Sequence, residues 1–481
     1  MSPGDGRSPA RSQCTDRSML ALFETQRQAS REAIDVPLEI RRDRLRRLSA
    51  MVDAHNAALS AAVEADFGVR SPALTAVADL FVLHNLMRQL SKNLARWSRP
   101  QRVGTPIYLQ PARACVQRQP LGVVGVISPW NYPLQLSLGP AATALAAGNR
   151  VMLKPSELTP HTSELLARLV AASFSQDEFA VVTGDAELAS AFSALPFDHL
   201  FFTGSTAVGR KVALAAAANL TPVTLELGGK SPCIADASAD LDTAALRIAH
   251  GKLLNAGQTC IAPDYLLLPR GCEDAFAAAW KRAVARLFPH ISGNPDYAAI
   301  LTGPHLARLQ SMLDEARASG ARVEQTAAER GPANMRQMAP ALVFGVQPEA
   351  RLLHEEIFGP LLPVLTYDGI EDAVRYVNAR PRPLALYWFG TDTAKRDRVL
   401  RQTVSGGVTV NDTLLHIAHD NLPFGGVGDS GIGSYHGESG FLRFTHQKAV
   451  LVQSRWSGGA LLYPPYGARL ARMMKVLRIL G

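Results

Sequence analysis

The sequence predicts an α/β fold built on a doubly wound parallel sheet, and three observations carry that reading. Short apolar runs, LGVVGVIS (121–128), RVMLK (150–154), FAVVTG (179–184) and HLFFT (199–203), alternate with helical stretches at 135–147, 161–173 and 206–218. Strands this apolar are buried on both faces, which crossover helices achieve. Polar and glycine residues gather just after the runs, where such sheets bind their ligands. At 481 residues the chain exceeds what one hydrophobic core holds, so two or three domains with a cleft between them are expected.

The elements follow in order. MSPGDGRSPARSQCTDR (1–17) is polar, lacks the apolar centre of a signal peptide, and reads as a loose, disordered tail. From about Met19 to Trp97 apolar residues such as Leu80, Leu83, Met87, Leu90 and Leu94 recur at helical spacing. The Pro-punctuated stretch 99–120 predicts an extended arm or hairpin.

Composition excludes several classes of function. The net charge of +8 is spread along the chain apart from RRDRLRR (41–47) and the last turns; a solvated helix face accounts for the first cluster, so no nucleic-acid partner is expected. Five cysteines, an odd number without CxxC pairs or zinc spacing, argue against disulfides and a structural metal. They suit a reducing cytoplasm. No stretch reaches the roughly 18–20 apolar residues that span a bilayer.

Several motifs carry chemistry, each with a plainer alternative. NAGQTCIAPDY (255–265) sets Cys260 in a polar, glycine-bearing loop, either as a reactive thiol or as a small core hydrophobe. SPWNYP (128–133) fixes Asn131 in a rigid turn, as an oxyanion donor or for backbone reasons. In LELGGKSP (225–232) Glu226 ends an apolar strand; a desolvated carboxyl there suits a general base, and a salt-bridged strand end is the alternative. LKPSE (153–157) brings Lys154 and Glu157 out of a strand together. GSTAVGRK (204–211) opens a helix at which Gly204 and Gly209 allow a pyrophosphate to approach, though a Gly-x4-Gly spacing also suits an ordinary tight turn. Ser205 and Thr206 add hydroxyls there.

Together these motifs, with EEIFGPLLPV (355–364) and LPFGGVGDSGIGSYHG (422–437), resemble the aldehyde dehydrogenase superfamily over roughly residues 20–456. The likeness is greatest to the dimeric aromatic and fatty aldehyde class and to bacterial coniferyl aldehyde dehydrogenases. It implies a Rossmann-type nucleotide-binding domain (18–98 and 122–226), an α/β catalytic domain (227–411) and a β oligomerisation arm (99–121 and 412–456) that makes a homodimer. It also implies roles: Cys260 as nucleophile, Asn131 with the loop amide for the oxyanion, and Glu226 for the hydrolytic water. Lys154 and Glu157 would hold the adenosine ribose, and Gly204, Ser205, Thr206, Val208 and Gly209 the pyrophosphate. Glu356 would hold the nicotinamide ribose, with Phe358 supporting the ring. A carboxylate at Glu157 favours NAD, with NADP possible. His416 and His436 are assigned no catalytic role.

The implied activity is oxidation of a small-molecule aldehyde to its acid, with coniferyl aldehyde to ferulate leading. A broad medium-chain aliphatic and aromatic oxidiser comes next, then a semialdehyde dehydrogenase. A silent NAD-binding homologue and a cysteine esterase stand as other classes. The last segment, 457–481, places Leu470, Met473, Met474, Leu477 and Leu480 on one face of a basic amphipathic helix. Packing on the protein is favoured over contact with a membrane surface.

Overall fold

The computed structural model describes residues 9–326, 336–457, 459 and 462–480. Sixteen strands occur among the described residues: β1 (Gln101–Val103), β2 (Arg113–Pro120), β3 (Val123–Ile127), β4 (Arg150–Lys154), β5 (Phe179–Val181), β6 (His199–Thr203), β7 (Val223–Glu226), β8 (Pro232–Ala235), β9 (Tyr265–Pro269), β10 (Arg322–Gln325), β11 (Ala341–Phe344), β12 (Leu361–Tyr367), β13 (Ala385–Phe389), β14 (Gly407–Val410), β15 (Gly431–Ile432) and β16 (Thr445–Val452).

They form three sheets. The first has the order β15-β7-β6-β3-β4-β5 and is parallel except for β15. Winding runs outward from β3 to β5 and then restarts on the other side of β3 with β6, so a crevice opens at the carboxyl ends of these central strands. Alternate residues serve opposite faces: Val124, Val126, Val151, Leu153 and Phe201 enter one core, while Val123, Met152, Leu200 and Phe202 enter another. That is why the runs read as continuously apolar.

The second sheet has the order β10-β11-β12-β9-β8-β13-β14, with β10 alone antiparallel to its neighbour. In the third, β2 lies between β1 and β16, and all three are antiparallel. The arm therefore meets the segment 445–452, in register from Thr445 opposite Pro120 to Val452 opposite Arg113.

The N-terminal reading needs one correction. A helix, Pro9–Glu32, begins inside the stretch read as a loose tail, and its Met19 and Phe23 are buried; residues 1–8 lie outside the described residues. The helical opening is also divided. Gly68, at φ 78°, ends the helix Asn56–Phe67, and Ser71 caps the next by accepting from the Ala73 N–H, with Pro72 in the first turn. This helix widens into a π turn over Ala76–Phe81 before Val82–Trp97. A helix at Ala186–Ser193, capped by Asp185, lies between β5 and β6, where the sequence reading placed none. No helix among the described residues is long and apolar enough to cross a membrane. The last helix is Ala468–Leu480.

Candidate active site

The nucleophile loop starts with strain. Asn255, Ala256 and Gly257 are successive left-handed residues, at φ 51°, 53° and 80°. Glycine adopts this freely and asparagine tolerates it, but a left-handed alanine costs on the order of 1–3 kcal/mol unless its surroundings fix it. A β-carbon at Gly257 would collide with the Gly359 carbonyl. The side chain of Gln258 pins the loop by donating to Asn255 O (2.9 Å) and Ala299 O (3.0 Å) and accepting from Leu301 N (2.9 Å).

Cys260 follows, half-buried. Burial first, and then the carboxyls of Glu356 and Glu226, push its thiol up to about 12; its own backbone N–H and that of Ile261 pull the other way.

Asn131 is buried beyond β3, and its side-chain amide donates to Gln258 O at 3.1 Å. An amide carries two N–H donors, so this bond fixes the group to the nucleophile loop and leaves the second N–H free for a developing oxyanion. Glu226 ends β7 at 3% exposure, and neither of its carboxyl oxygens has a hydrogen-bond partner. Desolvation raises its pKa well above the usual carboxyl value, only weakly opposed by Arg443. Such a group is neither the salt-bridged strand end of the alternative reading nor a packing residue; it suits an acceptor for a proton of water.

The residues read as cofactor contacts cluster at the carboxyl ends of the first sheet. Lys154 ends β4 with its ammonium 2.6 Å from the half-exposed Glu157 carboxylate. Ser205 caps the helix Thr206–Ala217 by accepting from Val208 N, leaving Val208 exposed at the first turn. Gly204 and Gly209 serve packing as well: a β-carbon at Gly209 would press on Leu227 and one at Gly204 on Phe202. A glycine-flanked helix N-terminus after β6 and a Lys–Glu pair after β4 fit a dinucleotide's pyrophosphate and ribose.

Glu356 comes from the second sheet's side, and a β-carbon at Gly228 would strike its carboxyl and displace it. Its pKa is pushed up to about 8, first by desolvation and then by Asp264. Asp264 is itself held by Lys230 (2.5 Å) and by Ile357 N (3.0 Å). Phe358 is left-handed, at φ 52°, with its ring edge-on to Trp130 at 5.3 Å, next to Asn131. Among the described residues no group of His, Cys, Asp and Glu side chains could hold a metal ion. His416 and His436 flank the Phe424 ring in two stacked contacts, and burial lowers each to about 4, so both stay neutral near pH 7.

Three contributors escaped the sequence reading. Arg70 and Asp79 form a fully buried ion pair behind Asn131. Lys252, fully buried with a partnerless ammonium, is lowered to about 8 by desolvation, against the opposing charges of Asp264 and Glu356. For Asp79, an acid in the apolar helical run AVADLF, that isolated charge is the signal that could have found it; Arg70 lies in the loop before that helix and carries no such mark.

Comparisons with known proteins identify the family. Residues 3–450 match the aldehyde dehydrogenase family. A probable coniferyl aldehyde dehydrogenase of Pseudomonas aeruginosa is 49% identical over 94% of this chain and 95% of its own. A coniferyl aldehyde dehydrogenase of Pseudomonas sp. is 48% identical over 92% of each. Among solved structures, substrate-bound Staphylococcus aureus AldH superposes with a TM-score of 0.90 at 35% identity, covering 95% of this chain and 99% of that one. The chain therefore belongs to the aldehyde dehydrogenase family, whose members oxidise aldehydes with NAD(P).

Proposed function

We propose that this enzyme oxidises coniferyl aldehyde to ferulate, with NAD as acceptor, through a covalent adduct on Cys260. The observation that carries the chemistry is the Asn131 amide bonded to the loop that bears the Cys260 thiol, with the unpartnered Glu226 carboxyl near enough for its charge to act on that thiol. The relatives named for coniferyl aldehyde, at 48–49% identity, support the substrate.

The Cys260 thiol releases its proton to solvent, the resulting thiolate adds to the aldehyde carbon, and the carbonyl oxygen becomes an oxyanion held by the second N–H of Asn131 and by the backbone amide of Cys260. Bound NAD supplies the acceptor for the hydride that oxidises this carbon. Water then attacks the thioester carbon as its proton passes to Glu226, and the carbon–sulfur bond breaks, freeing the thiolate and the acid.

Lys154 and Glu157 hold the adenosine ribose, the turn Gly204–Gly209 the pyrophosphate, and Glu356 with Phe358 the nicotinamide end. A carboxylate at Glu157 would repel a 2′-phosphate, which favours NAD. Domain roles follow the sheets: nucleotide binding by the first, catalysis by the second, and homodimer formation by the third, whose β16 edge exposes Leu451 and Val452. Unpaired cysteines at 115, 233, 260 and 272 suit a cytoplasmic enzyme.

The test is NADH formation across coniferyl aldehyde, benzaldehyde, octanal and succinate semialdehyde, repeated with NADP. The highest kcat/KM is expected for coniferyl aldehyde with NAD, and Cys260→Ala should be inactive while still binding NAD. Normal turnover by that variant would refute the mechanism; preference for octanal would move the enzyme to the broad aliphatic class.

A further inference from the structure

The buried ion pair behind Asn131 bonds both the turn that carries Asn131 and the left-handed residue Asn255 of the Cys260 loop. One Arg70 nitrogen (Nη1) donates to Asn131 O at 2.6 Å and to Asn255 Oδ1 at 3.4 Å. The other (Nη2) donates to Asp79 Oδ2 at 2.5 Å. Asp79, carried on the π turn, uses its second oxygen to accept from Leu134 N (3.3 Å) and Gln135 N (3.1 Å), at the start of the helix that follows Asn131. Asn255 closes the circuit by donating to Asn131 O at 3.0 Å.

Nothing in the fold's core requires a full charge here. Both side chains are wholly buried, and desolvating two ions is costly compared with apolar residues of similar volume. Arg70 Nε has no acceptor, and the guanidinium lies instead over Phe67 (4.7 Å) and Tyr132 (5.1 Å). Tyr132, in turn, bonds the Thr259 hydroxyl at 2.6 Å, one residue before the nucleophile. A planar fork with fixed donors is the one side chain that can address the oxyanion turn, the left-handed residue Asn255 and a counter-ion together.

We infer that Arg70, oriented by Asp79, is a positioning residue of the oxidation: it locks the oxyanion turn at Asn131 to the strained elbow at Asn255, and so fixes the Asn131 amide relative to Cys260. The inference rests on the roles proposed above for Cys260 and Asn131. It assigns Arg70 no contact with substrate or cofactor.

The test uses Arg70→Met/Asp79→Leu, which removes both charges at similar volume, together with Arg70→Lys, which keeps the pair with Asp79 but loses the fork. Aldehyde oxidation, cofactor-free hydrolysis of p-nitrophenyl acetate, NAD affinity and thermal melting are measured. Since a misplacement of about 1 Å costs about 100-fold in rate, kcat and ester hydrolysis should fall in parallel by about 10–100-fold in the double variant. Arg70→Lys should lie between it and the wild type, with NAD affinity changed less than about twofold in both.

Rates within about twofold of wild type in Arg70→Lys, or in a folded double variant, would overturn the inference. So would a rate loss matched by an equal loss of NAD affinity, because that describes general damage. If the double variant does not fold, Arg70→Lys decides alone. Cys260→Ala runs alongside: turnover there sinks the thiol mechanism, whereas full rates in the Arg70 variants beside an inactive Cys260→Ala sink only the lock.

Discussion

The Asn131 amide donates to the Gln258 carbonyl across 3.1 Å, which ties the turn after β3 to the loop carrying Cys260. The bond fixes the position of the Asn131 amide relative to that loop. Asn131→Ala should therefore reduce kcat by about 10²–10³-fold with little change in the KM for NAD, as measured by steady-state kinetics. A loss confined to KM would place Asn131 in binding instead.

Glu226 has no partner to lose, so its removal should leave the fold intact and affect only the water step. In Glu226→Gln a rapid-mixing experiment should show a burst of about one NADH per site followed by a steady rate lower by roughly 10²–10⁴-fold. A slowed burst would mean that Glu226 acts earlier, on the thiol.

The sign of a pH effect follows from Glu356. With its carboxyl near 8, it is largely neutral at pH 7 and repels the Cys260 thiolate only once ionised. Glu356→Gln removes that repulsion and lowers the thiol's pKa. Cofactor-free alkylation by iodoacetamide should match wild type at pH 7 and be faster in the variant above about pH 8, by up to about tenfold for one pKa unit. Identical profiles to pH 10 would contradict this.

Stability has its own test in Asp66. The helix Pro160–Ser173 gains no side-chain bond from its own cap residue, Thr159; Asp66 accepts instead from His161 N and Thr162 N, both at 2.9 Å. Asp66→Ala should destabilise the protein by about 1–2 kcal/mol, seen as a lower melting midpoint with kcat unchanged.

How much of this was legible follows from what each residue depends on. The four apolar runs gave β3 to β6 directly, because a strand buried on both faces writes its burial into consecutive residues. Cys260, Asn131 and Glu226 each stood out as a chemical group in an unusual setting, but their local motifs left plainer readings open and only the family resemblance assigned them roles. Arg70 and Asp79 escaped the reading. Their partners lie as much as 185 residues away, and nothing within helical spacing announces a contact of that range. The left-handed pair Asn255–Ala256 was hidden for a related reason: alanine carries no mark of a conformation that its surroundings impose on it. The helix within 1–17 was missed because polar composition says nothing about docking, which Met19 and Phe23 provide from outside that stretch.

The pairing of β2 with β16 also sets a clock on biosynthesis. Pro120 leaves the ribosome about 325 residues before its partner Thr445. At about 5–20 residues per second, β2 waits roughly 15–65 s with its edge bare. During that interval the nascent chain presents an unpaired strand to every other chain nearby, so yield in the cell should depend on translation speed and on chaperones that cover such edges, even though the finished enzyme needs neither.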